Sequence, residues 1–167
     1  MISLFIGRFQ PFHNGHLEII KNISKKYDKI IIGIGSSQYK NTIDNPFSFS
    51  ERKEMINRTL KKYNIDNYKI ILIPDIHNPP KWVNHILSIY SDFDVVIANN
   101  SFTKKLFIEK KIPVENTPHY DRRNFKGEVI RKRIINNKKW DHLVPKTVYD
   151  FIIEIDGIKR LQNINKN

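Results

Sequence analysis

Short apolar runs alternate along the chain with longer segments in which apolar residues recur every three or four positions. The runs are rich in Ile and Val and predict strands near residues 2–7, 29–35, 68–73, 93–98 and 113–117. The longer segments predict helices between them. This alternation predicts an α/β fold with a parallel sheet covered by helices on both faces, and a ligand site beyond the carboxyl ends of the strands.

Local signals mark where several helices begin. Ser48 and Glu51 form a capping-box pattern. Pro79 follows Asn78 and suits the first position of the next helix. Further helices are predicted at 104–111, near 127–137 and, as the last of the chain, at 145–154.

The segment GRFQPFHNGH, residues 7–16, lies where the first strand is followed by the first helix. A helix start attracts anions because its N–H groups are unpaired and its dipole is positive there. His13 and His16 are three residues apart and therefore share one face. Gly15 lets an anion approach the backbone, and Arg8 carries a guanidinium suited to phosphate oxygens. The segment predicts a site for nucleotide phosphates.

Other interpretations of these motifs are weaker. A closed zinc site needs about four ligands, but the chain has no cysteine and its other histidines are scattered at 77, 85, 119 and 142. Two surface histidines without a role are a plainer alternative, which their place at a glycine-containing helix start disfavours. A dinucleotide fingerprint at Gly33 and Gly35 fails because Gln38 stands where the third glycine belongs.

Length and composition indicate one domain, since the 167 residues are 40% hydrophobic and can bury a core. No apolar stretch approaches the roughly 20 residues that span a bilayer, and the amino terminus has no signal-peptide pattern. We therefore expect a soluble, cytoplasmic protein. The absence of cysteine excludes disulfides and thiol chemistry.

The chain is strongly basic, with 29 Lys and Arg against 17 Asp and Glu and a formal net charge of +12. The excess is +4 over residues 1–100 and +8 over residues 101–167, with clusters at 122–123 and 131–133. This distribution raises nucleic-acid binding as a rival function, whereas a positive surface equally suits polyphosphate substrates. We favour the polyphosphate because few aromatic residues are interleaved with the basic ones.

Residues 7–16 resemble the opening of the HxGH nucleotidyltransferases, and within them that of the archaeal-type nicotinamide mononucleotide (NMN) adenylyltransferases. The run GRFQP ahead of the first histidine is the most specific part. The resemblance covers nearly the whole chain and continues through Gly33–Gln38, Asn45–Phe47, Ser50–Arg52, Trp82–Val83 and Leu143–Lys146.

This resemblance implies one nucleotidyltransferase domain over residues 1–167, with a nucleotide-binding α/β core at 1–120 and a C-terminal helical part at 121–167. Its sheet would be five-stranded and doubly wound, that is Rossmann-like, with strands one and four flanking the switch point. Arg8–His16 and Ala98–Asn100 would then face each other across a crevice.

The implied reaction transfers the adenylyl group of ATP to NMN and forms NAD and pyrophosphate, with no covalent enzyme intermediate. Mg²⁺ is expected to arrive with ATP, because no Asp cluster suggests a protein-built cage. The resemblance also implies a homo-oligomer. It assigns catalysis to His13, His16 and Arg131, ATP binding to Gly7, Arg8, Phe9, Gly15, Asn100, Gly127 and Arg131, and NMN binding to Ser36, Phe47, Asp75 and Trp82.

Two of these residues have competing interpretations. Trp82 either packs in the core from a helix face or stacks on the cationic pyridinium of NMN. Asp75 either caps the following helix or contacts ribose.

The late phosphate motif departs from the family pattern. Lys126 and Glu128 stand where relatives have hydroxyl residues, whereas Gly127 and Arg131 are retained. Glu128 would repel phosphate unless it turned outward in the first turn of its helix. Residues 40–42 also differ from the usual Ser-His-Thr. Two alternatives stay open: an HxGH adenylyl- or cytidylyltransferase with another acceptor, such as phosphopantetheine or flavin mononucleotide, and a degenerate relative that binds nucleic acid.

Overall fold

A computed structural model describes residues 1–117 and 125–167. Within these residues, five parallel strands form one sheet in the order β3-β2-β1-β4-β5. The strands are β1 (Ile2–Gly7), β2 (Lys29–Gly35), β3 (Tyr68–Ile73), β4 (Val95–Ile97) and β5 (Val114–Glu115).

Helices follow the strands and then end the chain. They are α1 (Asn14–Lys26), α2 (Phe49–Lys62), α3 (Pro79–Ile89), α4 (Ser101–Glu109), α5 (Gly127–Ile135), α6 (Lys146–Glu154) and α7 (Gly157–Lys166), with a 3₁₀ turn at Asp141–Leu143. The capping box predicted for α2 is present, because Ser48 and Glu51 exchange backbone and side-chain hydrogen bonds. No helix in the described part of the chain is both long enough and apolar enough to cross a membrane.

The strand order reverses at β1. The chain proceeds outward from β1 to β2 and β3, and then returns to the other side of β1 for β4 and β5. Connections on the two sides therefore diverge, which opens a crevice beyond the carboxyl ends of β1 and β4. The predicted doubly wound, Rossmann-like α/β fold is confirmed, including the strands that flank the switch point.

Both faces of the sheet are buried, and successive strand residues point to opposite faces. Leu4 and Ile31 join a cluster with Val83 of α3 and Phe107 of α4. On the other face, the neighbouring positions Phe5, Ile30 and Ile32 pack with residues of α1, α2, α5, α6 and α7. The continuous apolar runs in the sequence reflect this two-sided burial.

Some predicted boundaries were wrong. The strands expected at 93–98 and 113–117 shrink to β4 and β5. Helix α4 begins three residues before the predicted position 104, because the Asn100 side chain accepts a hydrogen bond from Thr103 N and caps it.

The prediction of a last helix at 145–154 missed α7. Asp156 has a left-handed backbone (φ 59°), which ends α6 and lets a new helix start at Gly157. The segment is mostly polar, but its apolar residues Ile158, Leu161 and Ile164 recur at helical spacing, so the sequence did carry a signal for this helix. Burial of Leu161 and the ion pair of Arg160 with Glu51 of α2 anchor it, and both depend on tertiary contacts.

Candidate active site

The two motif histidines form a reciprocal cap at the start of α1. The His13 ring accepts a hydrogen bond at Nδ1 from the backbone N–H of His16 (3.3 Å), and the His16 ring accepts one at Nδ1 from the backbone N–H of His13 (3.2 Å). The rings stack with centroids 3.5 Å apart. Because Nδ1 is the acceptor in both rings, each neutral imidazole carries its proton on Nε2.

Burial keeps both histidines neutral. It lowers the pKa of the His13 imidazole to about 3 and the pKa of His16 well below its ordinary value, with the neighbouring His13 as a second cause for His16. The rings of Phe9 and Phe12 also lie 4.7 and 5.5 Å from the His16 ring. The pair therefore offers fixed, uncharged N–H donors, which suit phosphate oxygens.

A cavity of about 180 Å³ opens at the switch point. His16 lies on one wall, and Asn99 and Asn100 follow β4 on the other. The Asn99 side chain donates to Thr117 Oγ1 and accepts from Thr117 N (2.9 Å), which ties the ends of β4 and β5 together. The expected meeting of residues 8–16 with 98–100 across a crevice is thus seen at His16.

Three guanidinium groups gather at this end of the sheet. Arg8 is exposed, Arg131 of α5 is 5% exposed and Arg52 of α2 is fully buried. Burial lowers the pKa of Arg131 and of Arg52, and the positive charge of Arg8 adds to the lowering in both. Like charges held this close favour an anionic ligand between them.

Helix α5 approaches the motif segment closely. A Cβ at Gly127 would lie 2.8 Å from Gln10 O, so only glycine fits there without a shift. This contact lets Arg131 Nη1 donate to Gln10 O (2.9 Å), while Arg131 Nη2 lies 3.4 Å from Asp44 Oδ1.

The departures from the family motif sit at the start of the same helix. Lys126 occupies the N-cap position and makes no capping hydrogen bond with its side chain. Glu128 is exposed and pairs with Lys132 one turn further on (2.9 Å), which lowers the pKa of its carboxyl. The outward turn that phosphate binding requires of Glu128 is therefore present.

Sequence comparison identifies the relatives of this site. Residues 4–133 match the cytidylyltransferase-like family. A nicotinamide-nucleotide adenylyltransferase of Methanococcus aeolicus is 48% identical over 99% of this chain and 95% of its own length. The same enzyme of Thermoplasma acidophilum is 44% identical over 98% and 91%. The chain belongs to the archaeal-type nicotinamide-nucleotide adenylyltransferases.

A solved structure supports this family membership. The bifunctional NMN adenylyltransferase/ADP ribose pyrophosphatase of Francisella tularensis, complexed with AMP and a manganese ion, superposes with a TM-score of 0.81 at 28% identity. The match covers 98% of the present chain but 51% of that protein, so this adenylyltransferase spans about half its length.

A second cavity of the adenylyltransferase, about 250 Å³, lies beyond β3 and contains Trp82 and Asp75. The Trp82 ring is half-buried, packs edge-on against Phe107 (5.7 Å) and also lines the cavity, so the packing interpretation is seen and the stacking interpretation stays a prediction. Asp75 Oδ2 accepts a hydrogen bond from Ser36 Oγ (2.7 Å). Asp75 does not cap α3, whose N-cap is Asn78.

Two predicted ligand contacts have rings in the core. Phe47 is 0% and Phe9 is 1% exposed. A ring with no exposed surface cannot stack on a ligand, so the NMN contact expected of the Phe47 side chain is not supported by its position. The Phe9 ring lies against Gly7 and the His16 ring, so its side chain packs inside the motif and is not free to contact ATP.

Two further predicted residues lie near the start of a helix. Asn100 lines the cavity at the switch point and uses Oδ1 to cap α4, and Gly15 is the buried second residue of α1.

Sequence reasoning missed three residues of the site. Gln10 is buried and its side chain exchanges two hydrogen bonds with the backbone of Phe47 (2.8 and 3.0 Å), which joins the motif segment to the loop before α2. Arg52 binds the ends of two strands, and Asp44 contacts Arg131. Gln10 and Arg52 were visible within the motifs GRFQP and Ser50–Arg52, whereas no pattern marked Asp44.

The polar groups at this end of the sheet are donors to anions. Among residues 1–117 and 125–167, no three His, Asp or Glu side chains lie close enough to hold a metal ion. The groups at the crevice are N–H donors and guanidiniums, which bind phosphate oxygens. Mg²⁺, if it enters with ATP, would be held by the phosphates of ATP.

Proposed function

We propose that this chain transfers the adenylyl group of ATP to NMN, forming NAD and releasing pyrophosphate. The observation that carries the proposal is the pair of neutral, mutually capped histidines at the carboxyl end of β1, with Arg8, Arg52 and Arg131 at the same end of the sheet. Full-length similarity to nicotinamide-nucleotide adenylyltransferases supports the same reaction.

The reaction is an in-line attack of the NMN phosphate on the α-phosphorus of ATP. His16 donates from Nε2 to an α-phosphate oxygen as negative charge grows there. His13, Arg8 and Arg131 hold the β- and γ-phosphates. Mg²⁺ supplies further charge neutralisation on these phosphates when it is bound. The protein thus acts by positioning and electrostatic stabilisation, and no side chain attacks phosphorus.

The second cavity is proposed to hold the nicotinamide end of NMN. The Trp82 ring offers its face to a cationic pyridinium, an attraction of about 0.5–2 kcal/mol. Asp75 adds a carboxylate near the same cation and is oriented by Ser36. We also propose that the protein resides in the cytoplasm and assembles into a homo-oligomer.

The test is release of pyrophosphate from ATP and Mg²⁺ with NMN, nicotinic acid mononucleotide, phosphopantetheine and flavin mononucleotide offered separately, with the product identified. NAD from NMN is the expected result. Turnover with another acceptor alone would reassign the acceptor. If folded protein released no pyrophosphate with any acceptor, adenylyl transfer would be contradicted and nucleic-acid binding favoured. A nucleic-acid affinity that falls steeply with salt would then identify that function.

Trp82→Ala then tests the acceptor pocket. We expect the KM for NMN to rise about tenfold from loss of the cation–π contact and of packing, while the KM for ATP changes little. Trp82→Phe, which keeps a ring, should recover part of the loss. An unchanged KM for NMN in Trp82→Ala would place the nicotinamide elsewhere.

A further inference from the structure

Arg52 is a fully buried cation, and its hydrogen-bond partners among the described residues are backbone carbonyls. Its Nη1 donates to Arg8 O (2.9 Å) and Gly35 O (2.8 Å), its Nη2 to Ser36 O (3.1 Å) and its Nε to Ser48 O (3.2 Å). Buried charges are usually paired with an opposite charge, because burial alone is strongly unfavourable.

No carboxylate among residues 1–117 and 125–167 neutralises the charge of Arg52. In the part of the chain that the structure describes, Arg52 forms no ion pair, and the adjacent Glu51 is bound by Arg160 through both carboxylate oxygens (2.7 and 2.8 Å). The charged groups that act on Arg52 are Arg8, which lowers its pKa, and Glu51, which opposes this more weakly. The unneutralised charge therefore remains at the carboxyl ends of β1 and β2.

Three of the four carbonyls bound by Arg52 lie at the turns after β1 and β2, and the fourth, Ser48 O, is at the N-cap of its own helix. Arg8 O precedes Phe9, whose φ is 53°, and Ser36 itself has a φ of 48°. Left-handed backbone at a non-glycine residue persists only when its surroundings hold it. The first turn leads into the histidine motif, and the second carries the Ser36 hydroxyl that binds Asp75.

We propose that Arg52 is a positioning residue for adenylyl transfer, which fixes the turns after β1 and β2 in one arrangement and offsets the carbonyl dipoles that would repel a polyphosphate there. One planar guanidinium with donors in three directions does both at once. This inference rests on the proposed function, because it assigns the two turns to ATP and to NMN. Loss of Arg52 should therefore weaken both substrates together, unlike loss of Trp82.

The test compares Arg52→Met and Arg52→Lys with two controls in α2. Arg58→Lys makes the same change at an arginine paired with Glu54 and Glu154 on the surface, and Ile56→Val loosens the buried face without altering charge. The KM values for ATP and NMN, kcat and thermal midpoints are measured at pH 7 and pH 9.

We expect Arg52→Met to raise both KM values about tenfold or more at both pH values. Arg52→Lys should raise them less at pH 7 and distinctly more at pH 9, because a buried lysine loses its proton as pH rises whereas the Arg52 guanidinium, with a pKa of about 10, retains it. The controls should change stability alone. Variants whose KM values match those of Ile56→Val, or that shift only one KM, would overturn the proposal.

Failure of the proposed function gives a different result. In that case the wild-type protein would not turn over NMN. The ATP affinities of the same variants, measured by calorimetry, would then decide whether loss of Arg52 weakens ATP binding more than the control changes do. If neither variant folds, ¹⁵N spectra of the wild-type guanidinium decide. Arg52 signals that shift and exchange more slowly with saturating MgATP and NMN support the proposal, and unchanged signals contradict it.

Discussion

At the scale of single residues, the chemistry of the site depends on how His13 and His16 cap one another. Each Nδ1 accepts a hydrogen bond from a backbone N–H, so the protonated nitrogen is fixed at Nε2 by backbone contacts alone. A capping box normally uses a hydroxyl and a carboxylate. Imidazoles perform the same role here and keep a second donor each for a ligand.

His16→Ala removes the donor assigned to the transferred phosphate. We expect kcat to fall about 100-fold or more, as when an oxyanion donor is lost. Single-turnover assays at saturating ATP and NMN measure this, and His142→Ala, which changes an exposed histidine, is the control. A kcat near that of the wild type in folded His16→Ala protein would remove His16 from the chemistry.

Stability should depend on pH through His13. Its folded-state pKa of about 3 lies below the unfolded value of 6.5, so the unfolded chain binds more protons as pH falls. The stabilisation is present above pH 6.5 and is lost below it. We expect the free energy of unfolding to fall by about 2 kcal/mol between pH 7 and pH 5 from this residue.

Urea unfolding at several pH values tests this expectation. His13→Asn should show a shallower dependence between pH 7 and pH 5, because the titrating group is absent. If the free energy of unfolding changed equally with pH in the two proteins, folding would not lower the pKa of His13.

At the scale of elements, the site is assembled where α1 and α5 meet the turn after β1. The close approach of Gly127 to Gln10 O brings Arg131 against the motif segment, although 121 residues separate the two partners. The position of α5 beside the turn that precedes α1 therefore depends on the Gly127 contact, which has no room for a side chain.

Gly127→Ala should push α5 away from the motif. We expect a loss of about 1–3 kcal/mol in stability, as for other overpacked sites, and a several-fold higher KM for ATP because Arg131 moves. Gly157→Ala is the matched control, since a Cβ there would meet Ile152 at 2.9 Å in the α6–α7 region. It should lower stability while the KM for ATP stays unchanged. The same KM for ATP in both variants would refute the proposed coupling of α5 to ATP.

At the scale of the whole molecule, the net charge of +12 and the arginine cluster create a field that attracts polyphosphates. Screening shortens the reach of this field from about 30 Å at 0.01 M salt to about 8 Å at 0.15 M. Substrates of different charge should respond differently to salt.

We expect the KM for ATP to rise several-fold over this salt range and the KM for NMN to rise less, because NMN carries fewer negative charges. Steady-state assays in increasing KCl measure both values. Lys61→Gln, at the far end of α2, should leave the salt response intact. Equal salt responses for ATP and NMN would show that the arginine cluster does not select the polyphosphate.

Sequence by itself determined the strand–helix alternation, the histidine motif and the family, because local patterns of apolar residues and short motifs encode them. The start of α4 was decided locally, by the Asn100 side chain that caps Thr103 N three residues on. The core position of Phe47 and the packing of α7 against α2 were decided by tertiary contacts distant in sequence. The same is true of the shared tautomer of the histidines and of the buried charge of Arg52, since burial and hydrogen-bond partners set both. Local propensity chooses the elements, and packing decides which side chains remain free to act.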